Sequence, residues 1–421
     1  MKRILLKLSK WSMLLGLSYF VITTLIFGHS DVDSEKGIYN FYWSGLNGLW
    51  REDKSFGFKM DEPVTTLLDG ADGPYVFGNN VYNITENNQL QQQNLNSNKT
   101  ITVKTTCAAL PSFTVALKAN HSVENYQYAM PSKLVAISDI EGNFNGFYSF
   151  LLANKVMDKK ANWIFGNGHL VLNGDFFDRG EQVPQVLWLI YHLENQAEKQ
   201  GGKVHYIIGN HEVMNMYGNA SYNAFKYMEA AKLISKQPHW NVAIKHLYSD
   251  QSELGKWMRS KNIIEKIGGT VFVHGGLNKL HLDGHYSIKE LNTIARKYFG
   301  TEPTEAIQDK RALPVLSSTN SPYWDRRLNY NWKIKLMYMF NAVAVEETTQ
   351  EDLDSIIDYY QASRIVIGHS IADDITTGYN NKVIRIDIKH NDTMHSGGTK
   401  GLLIEDNLCY KIDDLGEKTK L

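Results

Sequence analysis

Cysteine is nearly missing from this 421-residue chain, which has only Cys107 and Cys409, far apart in sequence. That excludes a thiolate site for a soft metal. Two isolated thiols read as small buried hydrophobes rather than as a bridge, although an oxidising compartment would permit one. Net charge is missing as well: 44 Lys+Arg stand against 45 Asp+Glu, for a formal charge of −1. No global basic field exists to wrap a nucleic acid polymer or coat an anionic surface, so any phosphate binding has to be local. What is present, 43% hydrophobic and 21% charged residues, is the composition of a folded chain with one large core and room for a smaller unit.

Charge is also absent locally. Lys2, Arg3, Lys7 and Lys10 precede an uncharged run, residues 11–28, rich in Leu, Ile, Phe and Val. This is the pattern of an export signal, and roughly 18 apolar residues lie between a long signal peptide and a short membrane-spanning helix. A clean small-x-small cleavage site is missing, Gly28-His29-Ser30 being the nearest approach, and no cysteine is placed for lipoprotein acylation. Residues 1–30 are therefore expected as a signal peptide or a retained membrane anchor. The positive flank would keep the N-terminus inside and the rest outside the cytoplasm, periplasmic or held at the inner membrane.

Residues 31–132 carry aromatic and β-branched runs broken by turn signals. A hairpin is expected across Gly78-Asn79-Asn80, an exposed loop over the Asn/Gln-rich tract 86–99, and strand-like alternation over 100–118. This reads as a small β-rich accessory domain. From residue 133 to the end the texture changes to short apolar strands, each followed by a polar turn and a helix-like segment, which implies an α/β core. Strands are expected at 134–138, 170–173, 204–208, 271–273, 365–367, 383–388 and 401–404, and a mostly helical stretch over 212–267.

The chemistry lies at the strand ends. Asp139 and Glu141 come after the first strand, Asp175 and Asp178-Arg179 after the second, Asn210-His211-Glu212 after the third, His274 after the fourth and His369 after the fifth. The carboxyl ends of strands in an α/β sheet share one edge, so these residues are expected to converge. Carboxylate, imidazole and amide oxygen together suit Mn, Fe or Zn. Asp175 is placed to bridge two such ions, which would activate a water and polarise a phosphoryl oxygen. Arg179 offers a planar fork for phosphate. His211 can donate a proton while Asp178 holds its imidazole.

The segments Gly174-Asp-Phe-Phe-Asp-Arg-Gly180, Gly209-Asn-His-Glu212, Val273-His-Gly-Gly276 and Ile367-Gly-His-Ser370 resemble the calcineurin-like metallophosphoesterases, within them the phosphoprotein phosphatase branch. Ser321-Pro-Tyr-Trp-Asp-Arg-Arg327 is similar to a segment of the bacterial Shewanella-like phosphatases. The resemblance covers about residues 133–413. It implies a four-layer αββα β-sandwich flanked by helices, a first metal on Asp139 and Asp175, and a second on Asp175, Asn210, His274 and His369. It further implies His211 and Asp178 as the acid pair, with Arg179, Arg326 and Asn210 on phosphate and Arg327 as the lesser alternative to Arg326.

Glu141 departs from this pattern, standing where the family has a ligand histidine. Its coordination would give the first ion an all-oxygen shell that favours Mn or Fe over Zn. The expected activity is a two-metal phosphomonoesterase acting on a phosphorylated protein, a peptide or a small phosphoester. Alternatives are a dinucleoside-tetraphosphatase-like pyrophosphohydrolase or phosphodiesterase, and a catalytically weakened phospholigand binder. Loop 389–400, with His390 and His395, is expected near the fifth motif. Asp387 stands at a strand end but matches no motif and is left outside the site.

Overall fold

The computed structural model describes residues 2–33, 38–49, 56–59, 67–303, 308–340 and 343–421. The chain divides into two compact units, residues 1–65 with 330–346 and residues 66–329 with 347–421. In the smaller unit, Lys2–Phe27 is one helix, and its stretch Lys7–Phe27 is long and apolar enough to cross a membrane, with a mean hydropathy of 1.5. Three antiparallel strands, His29–Asp33, Ile38–Trp43 and Phe56–Lys59, form a sheet in the same unit. Parts of the expected β-rich segment, residues 34–37, 50–55 and 60–66, lie outside the described residues.

Two six-stranded sheets make up the core of the larger unit. In the first, Lys203–Tyr206, His169–Leu172 and Lys133–Ile137 run parallel, and Lys400–Glu405, Leu408–Asp413 and Lys418–Lys420 extend it antiparallel. The second has the order Thr376–Gly378, Val383–Arg385, Arg364–Ile367, Thr270–Val273, Ile264–Ile267, Gln127–Tyr128. The alternation of side chains along each strand sorts them into two layers. Leu134, Ala136, Val171, Leu402 and Ile404 of the first sheet cluster with Ile267, Phe272, Val366, Ile384 and Ile386 of the second, which is the dry interior of the sandwich. Val135, Ile137, Leu170 and Leu172 belong to the other large cluster, with Phe147, Phe150, Leu187 and Ile190 of the helices Phe144–Ala153 and Val183–Lys199. Each such side chain, fully buried, contributes on the order of 1.5–3 kcal/mol. Gly401 allows the close fit, because a Cβ there would lie 2.4 Å from Ala136 O and 2.6 Å from the Phe150 ring.

Three expectations are corrected. Ile264–Ile267, placed within a helical stretch, is a strand that turns at Gly268-Gly269 and pairs with Thr270–Val273. Helices do fill the rest of that stretch, at Asn210–Tyr217, Phe225–Ser235, Trp240–Leu247 and Glu253–Arg259. The tract expected as a loop contains the strand Leu90–Asn94, held at a sheet edge by backbone pairing to Asn80–Ile84 while its Gln and Asn side chains stay exposed. Residues 67–118 have no seam separating them from the α/β core. Trp188 Nε1 donates to Pro74 O at 2.8 Å, Asn195 Nδ2 to Ala116 O at 2.7 Å, and the backbone N–H of Thr106 to Gln182 Oε1 at 2.8 Å. Both cysteines are free thiols, Cys107 buried and Cys409 partly so.

Candidate metal centre

Six candidate residues share an unusual backbone. Asp139, Glu141, Asp175, Asp178, Arg179 and His369 have φ between 47° and 70°, the left-handed region that side chains with a Cβ rarely occupy. Such conformations persist only where the surroundings impose them, and they gather at functional sites. One imposing group is the buried Glu212 carboxylate. It accepts hydrogen bonds from the backbone N–H of Gly209 (2.8 Å), Asp175 (3.0 Å) and Phe176 (2.8 Å) and from the Tyr206 hydroxyl (2.8 Å). One side chain thereby clamps the second motif turn to the start of the helix Asn210–Tyr217. A second close approach is made by Gly180, whose N–H donates to Glu141 O at 2.9 Å and where a Cβ would meet that oxygen at 2.4 Å.

Asp175, Asn210, His274 and His369 converge. Ligand-type atoms of Asp175, His274 and His369 all lie within 4.8 Å of one another, and all three residues are buried. His274 Nδ1 donates to Asn173 O at 2.7 Å, which leaves Nε2 facing Asp175 Oδ2 at 2.9 Å. His369 Nε2 donates to Trp324 O at 3.1 Å, which turns Nδ1 inward, 2.8 Å from the amide of Asn210. Both imidazoles thus have their outer nitrogen tied to a backbone carbonyl and present the other to a common centre, the arrangement that fixes the tautomer of a ligating histidine. The Asn210 amide oxygen points into the same space, 3.1 Å from His274 Nε2 and 3.3 Å from Asp175 Oδ2. Lone pairs crowded in this way repel one another unless a metal ion or a proton sits among them, and a carboxylate, an amide oxygen and two imidazoles are a donor set that fits a metal ion.

A proton can stand in for that cation. Burial raises the Asp175 carboxyl, but His274 and His211 outweigh it and hold the group far below the usual range. Burial lowers His274, and Asp175 followed by Asp139 lifts it to about 9. His369 is pushed well down by burial and then by Arg326.

Around this centre stand the remaining candidates. Asp139 Oδ2 accepts from Ser138 Oγ and from the N–H of His369. Glu141 reaches the cluster, its carboxylate lying within 4.8 Å of ligand atoms of Asp175 and His211, while one of its oxygens pairs with Arg179 Nη1. Arg179 also lies against Tyr222, 5.6 Å from the ring centroid. His211 Nδ1 donates to Asp178 Oδ2 at 2.5 Å, and Asp178 Oδ1 accepts from Asn215 and Asn223, both at 2.8 Å. Burial opposes the charged form of His211, but Asp175 and then Asp178 raise it to about 10. Arg326 Nη1 donates to His369 O at 2.7 Å and Ser370 Oγ at 2.9 Å, whereas Arg327 turns to Asp325 and Asn320.

The structure adds residues that sequence reasoning left out. Asp387 is 3% exposed and lies two residues beyond the strand Val383–Arg385, between Ile386, whose N–H donates to Ile367 O, and Ile388, which bridges to Ala372. Burial, followed by Glu141 and Asp175, raises its carboxyl to about 8. The signal in the sequence was its place at a strand end. Loop 389–400 docks on the first motif: His390 Nε2 donates to Ser138 O at 2.8 Å and Asn143 Nδ2 to Asn391 O at 2.9 Å. Between them opens a cleft of about 710 Å³ whose lining includes Gly142, Asn145, Glu181 and Lys389.

Comparison with known proteins gives concordant results. Residues 132–373 match the model of the calcineurin-like phosphoesterases. Over 238 residues the chain is 27% identical to Shewanella-like protein phosphatase 1 of Plasmodium berghei, covering 56% of this chain and 61% of that protein. The chain therefore spans less than two thirds of that relative. Shewanella-like protein phosphatase 2 of Arabidopsis thaliana is 24% identical over 300 residues, covering 62% of this chain and 72% of that one. Among solved structures, the cold-active protein-tyrosine phosphatase of a psychrophilic Shewanella species superposes with a TM-score of 0.71 at 28% identity, covering 83% of this chain and 99% of that one.

Proposed function

The chain belongs to the calcineurin-like phosphoesterase family, and from the site built on that fold we propose a phosphomonoesterase that uses two metal ions. Asp139, Glu141 and Asp175 would hold the first ion and Asp175, Asn210, His274 and His369 the second. The carboxylate-rich first set favours Mn or Fe over Zn. The observation that carries this reading is the convergence of Asp175, Asn210, His274 and His369, with each imidazole oriented by a backbone carbonyl. Bound there, the ions supply an activated water and neutralise phosphoryl charge.

The protein's own residues do the rest. Arg179 and Arg326 grip phosphate oxygens, and Asn210 adds its amide. Held charged by Asp175 and Asp178, His211 gives the proton on Nε2 to the leaving oxygen, while Asp178 keeps Nδ1 protonated and the ring in place.

The substrate class we infer is a phosphorylated protein, peptide or small phosphomonoester, in keeping with relatives named as protein phosphatases. The accessible apolar helix, with Trp11, Met13, Leu15 and Leu25 exposed, supports export or anchoring at a membrane. The protein reconstituted with Mn and offered p-nitrophenyl phosphate, bis-p-nitrophenyl phosphate, phosphopeptides and diadenosine tetraphosphate tests the reading. Turnover of monoesters supports it, and turnover of the diester or the dinucleotide alone refutes it. Bound metal without turnover above a His211→Ala control would instead favour a phospholigand binder.

A further inference from the structure

Asp387 has no evident reason to be where it is. The residue is only 3% exposed, yet among the described residues its carboxylate accepts no hydrogen bond and forms no ion pair. An isolated buried carboxylate costs several kcal/mol, so such groups are paired, hold a proton or bind a metal. Its position is set by the sheet. Arg385 pairs with Ile367, the N–H of Ile386 donates to Ile367 O at 2.9 Å, and Ala372 donates to Asp387 O at 2.9 Å. The backbone of Asp387 is therefore stitched to both sides of the His369 turn and cannot swing away from it. Asp139 lies on the other side of that turn, its Oδ2 accepting the N–H of His369 at 3.2 Å. Asp139 and Asp387 bear on one another electrostatically, as Asp387 does on Glu141 and Asp175. Four carboxylates thus lie in one neighbourhood, with Arg326 and Arg179 as the nearby positive charges acting on Asp387.

We propose that Asp387 is a further ligand of the first metal ion, completing a shell with Asp139, Glu141 and Asp175. The inference rests on the two-metal reading above. It also accounts for the glutamate in the first motif. Glu141 shares its carboxylate with Arg179, which leaves one oxygen for the ion, and Asp387 adds a further oxygen donor. Four carboxylates balance the charge of two divalent ions. An all-oxygen set of this kind selects Mn, Fe or Mg and disfavours Zn.

The test uses the full chain with Mn alone. Metal per chain is measured after dialysis, and the melting temperature is followed with and without Mn, for wild type, Asp387→Asn and the smaller Asp387→Ser. The expected result is two ions in wild type and one in each variant, with first-ion affinity weakened at least about tenfold. Two ions held with unchanged affinity in the variants would overturn the assignment while leaving the two-metal reading intact. Loss of both ions would also overturn it, since Asp387 would then act on the whole site. Fewer than two ions in wild type would sink the reading itself and the inference with it. The melting curves show for each variant that a folded protein was assayed.

Discussion

Replacing Asp178 by Asn should damage His211 in a way that depends on the leaving group. Asp178 is 1% exposed and accepts three hydrogen bonds, from His211 Nδ1 and from the amides of Asn215 and Asn223. An asparagine of the same shape can keep its oxygen on the two amides, but its NH2 then faces His211. The imidazole must turn Nδ1 into an acceptor, which leaves a neutral ring with its single proton on Nε2. Stability should fall by only about 1–2 kcal/mol, the difference between a charged and a neutral hydrogen bond. The imidazolium, however, is lost, and with it the acid that protonates the leaving oxygen. General acid catalysis is worth about 10²–10⁴-fold, so kcat on an alkyl phosphate or a phosphoserine peptide should fall by about that factor. The nitrophenolate of p-nitrophenyl phosphate leaves without help, and its kcat should fall less than about tenfold. Steady-state kinetics on both substrates, with circular dichroism to confirm folding, give the answer. An equal loss on both substrates would refute His211 as the acid held by Asp178.

Other consequences are open to measurement. Glu212→Gln leaves one acceptor oxygen for four buried donors, so urea denaturation should register a loss of about 2–4 kcal/mol; a change below about 1 kcal/mol would mean that Glu212 is no clamp. Gly180→Ala drives a Cβ into the backbone of Glu141 and Gly142, where no rotamer relieves it, and should depress both melting temperature and activity. His169 and His390 are each lowered to about 4, chiefly by burial. The unfolded chain then binds more protons than the folded one between pH 4 and 6.5, so this stability is complete above 6.5 and is lost as pH falls towards 4. The loss amounts to at most about 3 kcal/mol for each imidazole. Unfolding free energies at pH 4.5 and 7 should show that slope, and His390→Gln should reduce it.

The site was legible because its residues stand at strand ends: parallel strands bring the ends together within each sheet, and the two sheets meet where Asp175 faces His274. Asp175, Asn210, His274 and His369 could therefore be grouped without any knowledge of distances. Other features depend on pairing that the residues do not spell out. Ile264–Ile267 reads Ile-Glu-Lys-Ile, which suits a helix turn as well as a strand, and only its partner strand decides. Leu90–Asn94 is almost all Gln and Asn, so no hydrophobic alternation announces it, and its backbone alone holds it to the sheet. Arg326 and Arg327 are neighbours of equal chemistry, yet the chain turns one to His369 and the other to Asp325. Asp387 matched no motif; its relevance comes from backbone hydrogen bonds that fasten it on both sides of the His369 turn. The partner that Glu141 finds in Arg179 was equally invisible, because it depends on two successive residues, Asp178 and Arg179, taking positive φ.

The central claim is a two-ion centre at the shared edge of these strands, and anomalous diffraction at the Mn edge from Mn-loaded crystals tests it most directly. The account predicts two peaks about 3.5–4 Å apart, one among Asp175, Asn210, His274 and His369 and one beside Asp139, Glu141 and Asp175. A single peak, or none at these residues, would contradict it.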